Sequence, residues 1–462
     1  MAIVIDCVLY RVISEEFIMF SKRNSIFGLI ILCGLLFSLS FPSIAATHYV
    51  SINGGSDSPY TNGWASAATN IQWALDVATN GEAVLVTNGT YNLADQIVIT
   101  NGVILQSVNG KDFTFISGQY TTFRCILLSN DNAIVDGFTV TNGKTTANGG
   151  GVYIYGGTLR NCHVRNNNSG GNGAVIARFL GTVLTTRNVF NCIITSNSGK
   201  YAGGICLQGA TASNCVVSYN SSSDRQNASP GGASLESLGY LYDSEISYNN
   251  GEVGGVKIAA TAGMTGCKVV GNRGYTYGGV AYLYVSANLR NCLVINNHSL
   301  SNAGGVYIQP DAAALGIQNL TVVSNSTDST NAGGIQCAAT NIISLYNTIA
   351  YFNVSGGTYS NIYNSANSSN IVVRNCCFGM TNGALFPSTN INNVIYADPL
   401  LVDMFVTNCR LRANSPCVNA GYNENWMTNA VDLDGKQRVR YGTVDIGAHE
   451  TIYEGAIYRL GF

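Results

Sequence analysis

Charge is scarce in this sequence. Only 10% of its 462 residues are Asp, Glu, Lys or Arg, against roughly 25% in ordinary soluble domains, and the formal net charge is -2. Such a chain has no field to draw in a polyanion, which argues against a nucleic-acid partner. Metal-binding spacings are missing as well: there is no Cys-x-x-Cys and no histidine pair at ligand spacing among the 4 histidines, so no zinc-type site is expected. Beyond the first 46 residues no apolar run is long enough to cross a bilayer, so no transmembrane span is expected in the mature chain. Proline is rare (7) and glycine abundant (52).

The apolar run that does exist lies near the start. From Met19, a second candidate initiator, Lys22 and Arg23 precede the apolar stretch Ile26 to Leu39, and Ser43-Ile44-Ala45 or Ile44-Ala45-Ala46 follows. A basic region, an apolar region and a small-residue triplet are the three parts of a secretory signal, so residues 1–46 read as leader and signal peptide. The run is too short to span comfortably, which argues against a retained membrane anchor.

The rest of the chain repeats itself. The phrase Asn-Cys-x-Val-x-x-Asn appears at Asn161-Cys162, Asn214-Cys215 and Asn291-Cys292, and at Asn191-Cys192 with Ile194 for Val, and its frame is kept at Asp243-Ser244, Gly266-Cys267, Asn319-Leu320 and Asn347-Thr348. Subtracting successive positions gives periods of 30, 23, 29, 23, 25, 28 and 28 residues. A Gly-Gly-apolar step precedes most of these phrases, as at Gly203-Gly204-Ile205 and Gly304-Gly305-Val306.

Two alternating apolar segments per period, with Gly and Asn between them, are strands and turns. No amphipathic helix falls inside the period, which excludes the helical solenoids, and the period is shorter than a propeller blade. What remains is a parallel β-helix, one coil per period, with corresponding strands stacked at about 4.8 Å. Period two then turns Cys162/Val164, Cys215/Val217, Cys267/Val269 and Cys292/Val294 inward.

Asn167, Asn197, Asn220, Asn249, Asn272, Asn297 and Asn325, five residues after each Cys position, predict an asparagine ladder at a left-handed bend. The stretch around Ile71, Trp73 or Ala74, Leu75 and Ala78 predicts a capping helix, followed by a first strand at Ala83 to Val86. The rhythm fails after about residue 380.

The phrases "AVLVTNGTYN" and "DGFTVTNG", with the Gly-Gly and Asn-Cys rungs, resemble the secreted right-handed parallel β-helix proteins of the pectate-lyase-like superfamily. The resemblance covers roughly residues 47–380 and implies the handedness. Further on, "ADPLLVD", "LRANSPCVNAGYN", "DLDGKQRV" and "GTVDIGAHE" are similar to the choice-of-anchor Q region found on the C-terminal side of such β-helices on bacterial surfaces. The expected organisation is a signal over 1–46, a capped right-handed β-helix over 47–390 and a choice-of-anchor Q-like segment over 391–462. The resemblance implies a secreted or outer-membrane-associated protein whose partner is a polysaccharide or another cell-surface polymer. Only about a dozen residues follow Glu450, where an anchoring tail is usual in that group.

Chemistry is harder to place. The hydrolase-type Asp-Asp pair and Gly-His-Gly of such enzymes are missing, and so is the lyases' arginine-proline signature. The outward column one residue after each Cys position runs His163, Ile193, Val216, Glu245, Lys268, Leu293, Thr321, Ile349. Glu245 and Lys268 are expected on adjacent rungs, as a cross-strand ion pair or, on the sharper reading, as the acid and base of a polysaccharide lyase.

Candidate carbohydrate contacts are His163, Arg165 and Arg273 for a carboxylate or sulfate, with Tyr219 and Tyr248 in register as a sugar platform or a structural stack. Asp432 and Asp434, in "DLDG", with Asp445, have the spacing of a Ca²⁺ loop start, or of a turn. Cys409 and Cys417, outside the ladder, are the better disulfide candidate, because stacked rung cysteines are too far apart and too parallel to bond. Val270, Leu293, Ile295, Val323, Ile349 and Tyr351 form an outward apolar strip. It is expected to lie beneath residues 391–450 or, left bare, to serve self-association.

Overall fold

The computed structural model describes residues 45–178, 187–281, 287–312, 315–366, 370–379, 390–404, 408–440 and 442–451; the leader and signal expected over 1–46 lie almost wholly outside them. The described chain is an all-β parallel β-helix. One coil consists of Ile205–Gln208, Ala210–Ser213, Val216–Ser218 and Ser221–Ser222. We call these four positions the Gly-Gly face, the second face, the Asn-Cys face and the ledge. Each strand pairs in parallel with its counterparts in the coils before and after: Ile205 with Val175 and Ala233, Val217 with Ile194 and Ile246. The inward residues are the alternate apolar ones of the sequence, and they are fully buried.

The corners follow from the residues that occupy them. Between the second face and the Asn-Cys face, Asn161, Asn191, Asn214, Asn291, Asn319, Asn347 and Asn375 adopt left-handed backbone, with φ between 49° and 54°, a conformation Asn tolerates better than most side chains. The next residue points inward. Its thiol donates to the carbonyl two residues back, as from Cys192 to Phe190 (3.2 Å) and from Cys267 to Thr265 (3.3 Å). Ser244 and Thr348 do the same with hydroxyls, to Tyr242 (2.6 Å) and Tyr346 (3.1 Å). The Cys position therefore takes small side chains that donate to a turn carbonyl in most coils, and the buried, purely apolar Leu320 in one. All twelve described cysteines are buried free thiols.

At the next corner the asparagine ladder runs from Asn167 to Asn353 and ends on Asn361. After Asn167, whose Oδ1 accepts from Gly143 N (2.8 Å), each Oδ1 accepts the backbone N–H and the side-chain Nδ2–H of the preceding Asn, for example Asn272 Oδ1 from Asn249 at 2.9 and 3.0 Å. The left-handed residue is not the ladder Asn, as the sequence suggested, but the one before it: Asn166, Ser196, Tyr219, Tyr248, Asn296, Ser324 and Phe352 all have positive φ. The ladder also accounts for the Gly-Gly repeat. A Cβ on Gly204 would sit 2.7 Å from Val217 Cγ1 and 2.9 Å from Asn220 Nδ2. Only a residue without a side chain fits against the ladder there.

At the front, the helix Ile71–Val77 buries Ile71, Ala74 and Leu75 and leaves Trp73 exposed. Gln72 completes the open edge: its Oε1 accepts from Val98 N (2.8 Å) and its Nε2 donates to Val98 O (3.1 Å), as a neighbouring strand would. A strand at Thr47–Val50 precedes the expected first strand and pairs with it in parallel.

At the back, Ile391–Ile395 still pairs in parallel with the strand Ile371–Phe378, so the ladder reaches into the segment expected to lie outside it. The chain then folds back over the apolar strip. Val270, Leu293, Ile295, Val323 and Ile349 are buried against Leu401, Cys409, Leu411, Cys417 and Ile446, with Tyr351 at the margin. The strip is not bare, so the condition for self-association through it is not met.

The corner asparagines of these coils hold the covering segment by its backbone. Asn291 Nδ2 donates to Val431 O (2.9 Å), Asn347 Nδ2 to Tyr422 O (2.9 Å) and Asn375 Nδ2 to Ala420 O (2.8 Å). Arg438 is fully buried beneath the segment. It donates to Asn291 Oδ1 (3.1 Å) and Gly447 O (2.8 Å) and lies 3.3 Å from the Glu450 carboxylate.

Burial outweighs the nearby Arg438 charge and raises the Glu450 pKa from 4.5 to about 8. Burial also lowers that of His449 from 6.5 to about 4. From 4.5 to 8 the folded state binds more protons at Glu450 than the unfolded state, so this contribution to stability is full below 4.5 and is lost as pH rises through 8. His449 has the opposite sign, its contribution being lost as pH falls from 6.5 through 4. The two offset each other between 4.5 and 6.5, and Glu450 acts alone between 6.5 and 8. Thermal melts should show the segment losing about 2 kcal/mol across that upper window, with the Glu450→Gln variant flat over the same range.

Candidate functional site

The Asn-Cys face is covered by the C-terminal segment only in its later coils. In the earlier coils its outward side is partly open: Val216 and Lys268 are exposed and His163, Arg165, Ile193, Thr195 and Glu245 half-buried, while Thr139, Thr141, Ser218 and Ser247 are buried. Along it His163 stands opposite Thr139 and Ile193, followed in register by Val216, Glu245 and Lys268. The second outward row is Thr141, Arg165, Thr195, Ser218 and Ser247. The next residue after Lys268 in register is Leu293, which is buried, so the open surface ends at the edge of the C-terminal segment.

Glu245 and Lys268 do stand side by side, as expected from the column. They form no ion pair among the described residues; Glu245 Oε1 accepts instead from the Ser247 hydroxyl at 2.8 Å. His163 and Arg165 lie nearer the front. His163 Nε2 and Arg165 Nε are buried and make no hydrogen bond. Burial first, then the Arg165 and Lys111 charges, hold the His163 pKa below the ordinary histidine value.

Tyr219 and Tyr248 form the edge of this surface. Their left-handed backbone, φ 56° and 54°, turns the side chains outward at the corner, where they are 62% and 52% exposed. The rings stack with centroids 5.3 Å apart and planes 13° from parallel. Gly271 occupies the same corner in the following coil. A Cβ there would come within 2.7 Å of the Tyr248 ring, so glycine leaves room for the stack to lie flat.

Arg273 is not brought into this group. It lies around the corner on the ledge, exposed, opposite Asn250 and His298. Asp432, Asp434 and Asp445, read from the sequence as a Ca²⁺ loop start or a turn, make these contacts. Asp432 Oδ1 accepts from the N–H groups of Asp434 and Lys436 (both 2.8 Å) and its Oδ2 from Glu450 (2.6 Å). Asp445 accepts from Asn419 and Thr451 (both 2.7 Å), and Asp434 pairs with Arg410 and Lys436. These carboxylates are saturated by backbone and cations, which is turn chemistry. Among the described residues no three His, Cys, Asp or Glu side chains are grouped to hold a metal ion.

A second polar patch was missed because the column count followed the Asn-Cys phrase alone. On the outer side of the Gly-Gly face Tyr153, Ile176, Cys206, Ser234, Lys257 and Ala281 follow one another in register. Arg178, Glu236 and Lys257 surround Cys206. This row is mostly closed: Tyr153, Ile176, Cys206, Ser234 and Ala281 are buried, and Lys257 Nζ donates to Asn227 O of the adjoining loop (3.4 Å). Its signal in the sequence was the position after each Gly-Gly-apolar step.

No family model and no curated protein matches this chain. Solved structures do. The complex of XylC with xylose aligns over 88% of this chain and 99% of its own, at 10% identity and a TM-score of 0.50. Pectate lyase Pel9A aligns over 88% and 97%, at 16% identity and a TM-score of 0.48. The A-module of mannuronan C-5 epimerase AlgE6 from Azotobacter vinelandii aligns over 71% and 94%, at 12% identity and a TM-score of 0.46. At such identity the first speaks to fold alone, and the other two carry no further argument. The class defined by the coordinates is a parallel β-helix protein with a back-folded C-terminal segment. No helix among the described residues is long and apolar enough to cross a membrane.

Proposed function

We propose that this chain is an exported, surface-associated β-helix protein that binds a polysaccharide or similar surface polymer on the open part of its Asn-Cys face. The carrying observation is the exposed, flat Tyr219–Tyr248 stack on the same face as the unpartnered His163 and Arg165 nitrogens. Stacked rings offer an apolar platform to the face of a sugar, and the positive charge of the half-buried Arg165 suits a carboxylate or sulfate beside it. Residues 391–462 act in this reading as the choice-of-anchor Q-like segment that closes the β-helix at the surface, and residues 1–46 as the leader and signal that export it.

A lyase is the second reading, favoured by the in-register Glu245 and Lys268. Its chemistry is abstraction of the proton beside a uronate carboxylate by a basic group, and it requires that the carboxylate be neutralised. The full chain is to be incubated with anionic and neutral polysaccharides, with Ca²⁺ and then with chelator, measuring both retention on the polymer and unsaturated product. Retention that weakens with salt, without product, is expected. Unsaturated product lost in Lys268→Ala would install the lyase reading in its place.

A further inference from the structure

Three thiols lie inside the contact between the C-terminal segment and the last coils: Cys377, Cys409 and Cys417, all buried and free. Cys377 belongs to the strand Ile371–Phe378, and its Sγ donates to Ala397 O at 3.4 Å. Two residues further, Pro399 O accepts from the Ser415 hydroxyl (2.6 Å), and Ser415 Oγ accepts from Cys417 N (3.1 Å). Ile446 N in turn donates to Cys417 O (2.9 Å). This run of contacts places Cys417 close to Cys377 within the shared buried cluster, where the two thiols interact. Cys409 shares the cluster but bonds no other thiol among the described residues. The pair suggested by the sequence, Cys409 with Cys417, is therefore not the one the fold brings together.

We propose that Cys377 and Cys417 form a disulfide that staples the C-terminal segment to the end of the β-helix. The two thiols give up two protons and two electrons as the S–S bond forms, and the electrons reduce a disulfide of an oxidoreductase or of oxidised glutathione to two thiols. In the docked arrangement both sulfurs are sealed from solvent, so the exchange takes place before the segment closes. The rung cysteines stay out of it: Cys162 and Cys192, and Cys267 and Cys292, are also neighbouring thiols, but they stand on stacked parallel coils about 4.8 Å apart with side chains running side by side instead of converging. A bond closing so long a loop acts mainly by restricting the undocked segment.

The test is a peptide map of the full chain refolded in a glutathione redox buffer, alkylated and digested without reduction. A cross-linked peptide joining Cys377 to Cys417 is expected, two hydrogen masses below the sum of its parts, with fragmentation separating Cys377 from Cys376. Amide exchange over residues 408–440 should speed up by about tenfold or more when the bond is reduced. Cys409→Ser should keep the cross-link and Cys377→Ser lose it. Alkylated Cys417 after oxidative refolding, or Cys417 joined to Cys409, would overturn the proposal. The wild-type map decides alone if Cys377→Ser fails to fold.

Discussion

Asn272→Ala should lower the unfolding free energy by about 3–6 kcal/mol, since it strips partners from several buried groups at about 1–3 kcal/mol each. Asn272 Oδ1 receives both N–H groups offered by Asn249, and its Nδ2 donates to Ile246 O (2.9 Å) and Asn297 Oδ1 (2.9 Å). Alanine removes all four contacts inside a fully buried corner. The contrast is Cys267→Ser, which puts a hydroxyl where Ser244 already sits in the preceding coil, and should stay within about 1 kcal/mol of wild type. Urea unfolding of the two variants beside the parent checks the pair. Equal losses would mean that the ladder is not the source of corner stability.

The second large effect is expected at Arg438. Above pH 8, where Glu450 is ionised, Arg438→Met should cost about 3–5 kcal/mol, because it leaves the buried carboxylate without its counter-charge, Asn291 Oδ1 without a donor and Gly447 O with only the long contact from Asn319 Nδ2 (3.4 Å); below pH 7 the cost should be smaller. The loss should be local. In a coil stack each rung touches only its neighbours, so the β-helix can stand while the C-terminal segment loosens from it. Limited proteolysis should then cut within residues 408–440, and an apolar dye should bind to the uncovered strip of Leu293, Ile295, Val323 and Ile349. Adding Glu450→Gln should recover part of the loss measured above pH 8, since the uncompensated charge is then gone. Cleavage spread evenly along the β-helix would refute a local clamp.

Much of the fold was legible because a coil repeats its steric demands at fixed positions. The ladder asparagines, the Gly-Gly steps pressed against them and the small residues at the Cys position each answer one local requirement, so each recurs. The outward column was legible for the same reason, and it placed Glu245 beside Lys268 and the apolar strip beneath the C-terminal segment. Contacts that occur once left no such trace. Arg438 reaches Asn291 across 147 residues; nothing in "DLDGKQRV" distinguishes a buried arginine clamp from a cation loop, and the Asp-x-Asp-Gly spacing suits either. Cys417 meets Cys377 only because the chain doubles back. The row around Cys206 was hidden by following a single phrase, and Gln72 as a surrogate strand edge depends on where the cap comes to rest.

The site itself was legible as chemistry rather than as geometry. Aromatic residues at equal register predicted a stack, and the structure adds the reason it faces solvent: the left-handed corner backbone of Tyr219 and Tyr248 and the glycine that follows at position 271. Arg273 was grouped with His163 by charge alone, and the turn between face and ledge separates them.

The measurement that bears most directly on the account is polysaccharide binding by the Tyr219→Ala/Tyr248→Ala double variant, compared with an Arg178→Ala/Lys257→Ala variant of the Gly-Gly face. Loss of an anchoring aromatic pair is expected to weaken binding by about tenfold or more, with the Gly-Gly variant close to wild type and circular dichroism unchanged in both. Binding that survives the tyrosine changes and collapses with Arg178 and Lys257 would contradict the account and move the site to the other face.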